Sequence, residues 1–251
     1  MKNLTTKIIA HRGASKLAPE NTMFAFELAY KLGAEGLETD VQLTKDHIPV
    51  LIHDETLTRT TNGRGYVKDY TYKELLRLDA GSWFSREFKQ AKLLSLEQFL
   101  VWIKPKDLSL NLELKNNKID YHQLESIVYN MLKEHKLIKR TTLSTFNPNS
   151  VKRLSELDND IEIAFLTSKK NINLIEYASS LGANAIHIKY RLLNRQLQEQ
   201  ALANNMPIRV YTINKYKQMM NCYEHQVAGI FTDVPHKALT FRNVYQFKRE
   251  L

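Results

Sequence analysis

A chain of 251 residues, 43% of them hydrophobic, has enough material to bury a full core, either as one large α/β barrel or as two small domains. Its formal charge of +9 favours anionic partners such as phosphate esters, but the lysines and arginines are spread from Lys16 through Lys115 to Lys248 without a basic tail, so nucleic acid is not expected. One cysteine, Cys222, excludes an internal disulfide and a cysteine zinc cluster; no apolar run approaches bilayer length, none of signal-peptide length precedes His11, and a soluble, cytoplasmic protein is expected.

Short apolar runs rich in β-branched residues alternate with helix-period segments along the chain. Strands are expected at Lys7 to Ala10 and Gly36 to Val41, then at Leu108 to Leu114, Thr141 to Phe146 and Ile161 to Leu166. Ala185 to Ile188, Ile208 to Ile213 and Gly229 to Thr232 complete a set of eight. Helix starts are marked by capping-box spacings at Thr71 with Glu74, Ser95 with Gln98 and Asp120 with Gln123, and by Asn147 followed by Pro148. Eightfold alternation fits a closed parallel barrel better than an open sheet, and no GxGxxG follows the first strand to suggest a dinucleotide site. One stretch breaks the rhythm. Residues 44–94 lie between the second strand and the helix starting at Ser95, and they read as a β-hairpin, a glycine-punctuated loop and a short helix inserted over the catalytic mouth of a single barrel domain spanning residues 1–251.

Glu38 and Asp40 stand two apart in a strand, so both side chains leave one face while Leu37, Thr39 and Val41 leave the other. In the run Asn111-Leu112-Glu113-Leu114-Lys115, packing of Leu110, Leu112 and Leu114 against helices turns Glu113 and Lys115 into the mouth. A lone Glu-x-Asp is ordinarily a solvated or ion-paired pair, but three carboxylates gathered at strand ends repel one another unless they share a proton or a cation. All-oxygen donors select a hard ion, Mg²⁺ or Ca²⁺, over zinc. If the hairpin turns between Asp46 and His47, His53 falls opposite Asp40 and returns to the same site. His11 and Arg12 lie at the end of the first strand, before Gly13, whose lack of a side chain permits a close turn towards a ligand. Of the other histidines only His187, near a strand end beside Lys189, is a further candidate for ligand contact.

Taken together, His11-Arg12-Gly13, Pro19-Glu20-Asn21-Thr22, Glu38-Thr39-Asp40-Val41, His53-Asp54, Glu113-Leu114-Lys115 and Thr232-Asp233-Val234-Pro235 resemble the glycerophosphodiester phosphodiesterase family in order and spacing. The resemblance implies a TIM-type (β/α)8 barrel with a small subdomain inserted after the second strand. It implies one divalent cation held by Glu38, Asp40 and Glu113, with Glu20 or Asn21 in its outer surroundings; Asn21 reads equally as a helix N-cap. His11 and His53 would be the acid-base pair, and Arg12 and Lys115 would bind phosphate. Phe146 and Tyr211 would lie near the alcohol or glycerol moiety, although core packing is an equal reading for both and the family often carries tryptophan where Tyr211 stands. The expected substrate is a small glycerophosphodiester, cleaved to sn-glycerol 3-phosphate and an alcohol. The same site would also suit a lysophospholipase D, given an apolar groove, for which Trp83 and Phe84 of the insertion are the candidates, and a barrel without activity that binds anionic polymers is the alternative from another class.

Overall fold

The computed structural model describes residues 5–157 and 160–250. Alternation becomes closure because the first strand, β1 (Lys7–His11), has neighbours on both sides. It pairs in parallel with β2 (Gly36–Leu43), Ile9 opposite Gly36, and with the last strand, Ile8 opposite Ile230. The short β3 (Pro49–Leu51) runs antiparallel to the end of β2 and lies outside the barrel. The wall continues through β4 (Ser109–Leu114), β5 (Thr141–Thr145), β6 (Glu162–Thr167), β7 (Ala185–Lys189), β8 (Ile208–Tyr211) and β9 (Gly229–Thr232), each parallel to the next. The eight strands expected from the sequence are the eight of this wall, displaced by at most a few residues at their ends.

Around them run α1 (Met23–Lys31), the short α2 (Tyr72–Leu75), α3 (Leu96–Ile103), α4 (Leu124–Glu134), α5 (Pro148–Leu157), α6 (Leu174–Ser180), α7 (Arg195–Ala203), α8 (Tyr216–Glu224) and α9 (Pro235–Glu250). Strand phase sets the layers. Leu37, Val41, Leu110, Leu112 and Leu114 are buried outward against Phe26 of α1 and Phe99 and Leu100 of α3, which leaves Glu38, Asp40, Asn111 and Glu113 on the inward face. A separate apolar cluster of Val50, Ile52, Leu57, Val67, Leu75, Ala80 and Leu93 holds together the stretch between β2 and α3.

Thr71 and Ser95 form the expected capping boxes with Glu74 and Gln98. Three local expectations are corrected. Asp120 does not cap α4, which starts at Leu124 with Gln123 in the cap position; Asp120 instead pairs with Arg153, 2.6 Å away, an ion pair that outcompetes the cap. Asn21 is not the cap of α1. Thr22 fills that role by accepting from the Ala25 amide, and Asn21, at φ +56°, donates to Asp40 and accepts from Thr39 instead. The hairpin register is also one residue away from that expected. Val41 faces Leu51 and Gln42 faces Val50, because the turn is a three-residue loop, Lys45 to His47, with His47 left-handed at φ +58° and Thr44 bonded to Ile48 across it. Ile52, not His53, therefore lies beside Asp40.

Candidate active site

The C-terminal ends of β1, β2 and β4 assemble the charged part of the mouth. Glu38 lies opposite His11 on one side and Asn111 on the other, and Asp40 opposite Glu113. One oxygen from each of Glu38, Asp40 and Glu113 lies within 4.8 Å of the others, so the strands converge these acids as their phase requires. Both Glu38 and Asp40 are buried.

Arg12 reaches this group because the chain turns sharply after β1. Arg12 itself is left-handed at φ +56°, and Gly13 follows at φ +82° with its α-carbon so close to α1 that a Cβ would sit 2.6 Å from the Ala25 backbone. The Arg12 amide donates to the Glu38 backbone carbonyl and carboxylate, while its guanidinium lies 3.1 Å from Asp40 and 2.9 Å from Glu20. Lys115 Nζ sits 2.8 Å from Glu113 and 3.8 Å from Asp40.

Burial acts first on these groups and their neighbours decide the outcome. Burial, then the adjacent Asp40, pushes the Glu38 carboxyl up. Burial would raise Asp40 too, but Arg12, Lys115 and His53 hold it well below the usual carboxylate range. One acid of the pair is thus ionised at the expense of the other, the condition a cation relieves. Asp40 Oδ1 is buried and, although Lys115 Nζ lies 3.8 Å from it, accepts no hydrogen bond among the described residues, which leaves it free to ligate a cation. Three carboxylates, one carrying an orphaned oxygen, fit a hard divalent ion.

Two imidazoles face this group, each oriented by a carboxylate. His11 donates from Nδ1 to Asp233 at 2.7 Å, and Asp233 also accepts from Ser15 and Asn214. Burial alone would lower the His11 pKa; Glu38 and Asp233 outweigh it and raise it. The Nε2 of His11 is 4.0 Å from Glu38. His53 donates from Nδ1 to Asp54 at 2.6 Å. Although the register slips, His53 still reaches the cavity, because β3 ends at Leu51 and the side-chain amide of Gln42 donates to the carbonyls of Ile52, His53 and Asp54, bending the chain inward.

Asp54 is held in turn by Arg59, whose guanidinium spans Asp54 and Glu20 with hydrogen bonds of 2.7 Å to each. Glu20 thus belongs to the arginines Arg12 and Arg59 and not to the three carboxylates. Asp233 and Asp54 were visible in the sequence as motif letters without a role; Gln42, Arg59 and Asn214 carried no signal, because their partners come from tertiary contact.

The mouth opens on a cavity of about 380 Å³ whose lining includes Glu38, Glu113, His11, His53 and Arg12 together with Phe146, Tyr211, Leu166 and Phe231, while Asp40 lies buried behind it. Phe146 and Tyr211 meet edge to face with ring centroids 6.0 Å apart, so both expected aromatics line the cavity. Trp83 and Phe84 do not. They pack in a T-shaped series with Phe88 and Phe24, outside both the cavity and the Val50 cluster.

The model of the glycerophosphoryl diester phosphodiesterase family matches residues 11–237. This chain belongs to that family. Glycerophosphodiester phosphodiesterases of Bacillus altitudinis and of Caldanaerobacter subterraneus subsp. tengcongensis are 39% and 36% identical to it, over 94% and 92% of this chain and 98% and 96% of theirs. Among solved structures, an Oleispira antarctica phosphodiesterase in complex with the product sn-glycerol 3-phosphate superposes with a TM-score of 0.89 at 30% identity, covering 95% of this chain and 97% of that one. The family member described here is a phosphoric diester hydrolase on a TIM-type barrel, and glycerophosphodiesters are its substrate class. No helix among the described residues is long and apolar enough to cross a membrane.

Proposed function

We propose that the chain hydrolyses glycerophosphodiesters to sn-glycerol 3-phosphate and an alcohol, using a divalent cation, Mg²⁺ or Ca²⁺, held by Glu38, Asp40 and Glu113, with His11 and His53 as the acid-base pair. The observation that carries this reading is the pairing of two imidazoles, each with Nδ1 committed to a carboxylate, at the cavity mouth where the three acids gather. With Nδ1 fixed as the donor, Nε2 is the nitrogen left to exchange a proton with substrate.

When bound, the cation would stabilise negative charge on a non-bridging phosphoryl oxygen. The residues do the rest. Three carboxylates outweigh one dication, so Arg12 and Lys115 are needed to make the mouth attractive to an anion and to neutralise charge that grows as the bond breaks. One histidine withdraws the proton of the attacking hydroxyl and the other returns one to the departing alkoxide. Asp233 and Asp54 keep each ring in the tautomer that allows this. Phe146 and Tyr211 give the organic part of the diester an apolar wall. Residues 44–94 act as an insertion that delivers His53 to a barrel otherwise complete. The cytoplasm suits the single thiol of Cys222, which burial pushes up to about 12 and keeps unreactive.

Hydrolysis of glycerophosphocholine with and without chelator, followed by Mg²⁺ or Ca²⁺ add-back, tests the proposal. Activity should vanish with chelator and return with the ion; full activity in chelator would remove the cation from the mechanism. A second cavity, of about 720 Å³, adjoins the first at Phe146 and Leu166 and has Phe165, Ile172 and Tyr177 on its wall. It supports a lysophospholipase D side activity better than Trp83 and Phe84 do, and choline release from lysophosphatidylcholine separates the two substrates.

A further inference from the structure

Cations around the mouth fall into two groups. Over the arc of β1 to β4, Arg12, Arg59, Lys115 and Lys118 are matched by acids: Arg12 by Asp40 and Glu20, Arg59 by Glu20 and Asp54, Lys115 by Glu113, and Lys118 by Glu55. The arc of β6 and β7 is different. Residues 163–198 carry Lys169, Lys170, Lys189, Arg191 and Arg195 and a single acid, Glu176. Glu162, just before them, is paired with Arg209 at 2.7 Å inside the barrel, and Arg195 is paired with Glu199. Lys169, Lys170, Lys189 and Arg191 have no ion pair among the described residues.

The loops that carry these four leave the C-terminal ends of β6 and β7, the rim on which the catalytic mouth lies. His187 and Lys189 line the catalytic cavity itself. The Arg191 guanidinium donates to the Ser168 carbonyl at 2.6 Å, which ties the loop after β7 to the loop after β6. In the latter, the Lys169 amide donates to the Thr167 hydroxyl and the Asn173 amide to the Asn171 side chain, and these local bonds shape a tip on which Ile172 stands 81% exposed. Among the described residues it is the most exposed large hydrophobic side chain. One exposed isoleucine is ordinary on a protein surface. An isoleucine at a loop tip among unpaired cations has the composition of a face that rests on an anionic lipid interface, where cations meet phosphate headgroups and the apolar tip enters the boundary below them. Ile172 also borders the cavity of about 720 Å³, which meets the catalytic cavity at Phe146 and Leu166.

We propose that the loops after β6 and β7 form a docking face for an anionic lipid surface, with Lys169, Lys170, Lys189 and Arg191 against the headgroups and Ile172 in the interface. Docking goes beyond the hydrolysis proposed above and does not depend on it. The net charge of +9 acts in the same direction, steering the protein to such a surface before the loops make contact.

The test reads binding and not turnover. The full chain is sedimented with vesicles of phosphatidylcholine alone and with vesicles of phosphatidylcholine and phosphatidylglycerol in equal parts. Binding should be about tenfold or more stronger to the mixed vesicles and should weaken as salt is raised. The double variant Lys169→Glu, Lys170→Glu reverses two charges and should weaken that binding about tenfold or more, and Ile172→Asp about threefold or more. Turnover of glycerophosphocholine, a soluble substrate, should stay as it is in the double variant, since neither lysine lines the catalytic cavity. Trp83→Ala, which alters the exposed aromatic series of the insertion, should leave vesicle binding unaltered. Equal binding to the two kinds of vesicle overturns the proposal, as does a preference for the anionic one that survives both loop variants or falls only with Trp83→Ala. A change of oligomeric state in the loop variants, measured by light scattering, would assign the face to a second copy of this chain and overturn it too.

Discussion

Two histidines line this mouth, His11 and His53, and they are held in different ways. His11 is tied to Asp233, 222 residues away, and that carboxylate is fixed by Ser15 and Asn214, so its orientation is a product of barrel closure. His53 is tied to its own neighbour, Asp54, which is steadied by one half-exposed arginine reaching across to Glu20. The first imidazole is fixed wherever the barrel is folded. The second depends on a surface ion pair, and such pairs are individually modest in strength and sensitive to salt.

Removing either ring should break the comparison at its strongest point. His11→Ala and His53→Ala should each lower turnover of glycerophosphocholine on the order of a hundredfold or more, measured as kcat at saturating substrate. Near-normal kcat in one variant would show that the two rings are not partners. Next in size is Asp233→Asn, which leaves the His11 ring in place but removes the carboxylate that selects its tautomer. It should cost on the order of ten- to hundredfold in kcat and lower the thermal midpoint as well, since an amide keeps one acceptor oxygen but turns the other into a donor facing either His11 and Ser15 or Asn214, all of which donate.

Arg59→Ala should act on the other ring only. A loss of roughly three- to tenfold in kcat is expected with little change in thermal midpoint, and Arg59→Lys should recover only part of it, because an ammonium cannot span two carboxylates with a rigid fork. An equal fall in stability would mean that Arg59 holds the fold and not the histidine.

The smallest effect concerns protonation of Asp54. Burial favours its neutral form, but Arg59 and His53 bring its pKa down to about 2. A carboxylate depressed in the folded state lends stability above its unfolded value of about 3.9, and that contribution fades as pH falls through the folded value. Carbon-13 spectra of the carboxyl groups should place the Asp54 midpoint near 2 in the unaltered protein and closer to 3.9 in Arg59→Ala.

The same contrast marks what could be read from the sequence. Strand phase is local, so the inward facing of Glu38, Asp40 and Glu113 follows from period-two alternation, and the strand-helix repeat supplies the barrel in which their strands pair. Hairpin spacing brings His53 to the mouth by a register one residue off, and it arrives there because Gln42 gathers three successive carbonyls, a contact no spacing rule anticipates. Asp120 matched a capping box in letters but found Arg153 on another helix. Asn21 has the letter of a helix cap and instead donates to Asp40 from a left-handed backbone. Arg59, Asn214 and the interior pair of Glu162 and Arg209 were silent because each is defined by partners brought near only by the fold.

The three-residue turn from Lys45 to His47 has a consequence for how this scaffold diversifies. The stretch it opens returns to its starting point, with the Leu51 amide bonded to the Leu94 carbonyl, so it behaves as a cassette anchored at one gate. Lengthening or shortening that turn would relocate one proton-carrying ring while the anionic pocket on β2 and β4 stayed where it is. Affinity for phosphate esters and the capacity to cleave them can therefore drift apart under mutation, each on its own stretch of chain.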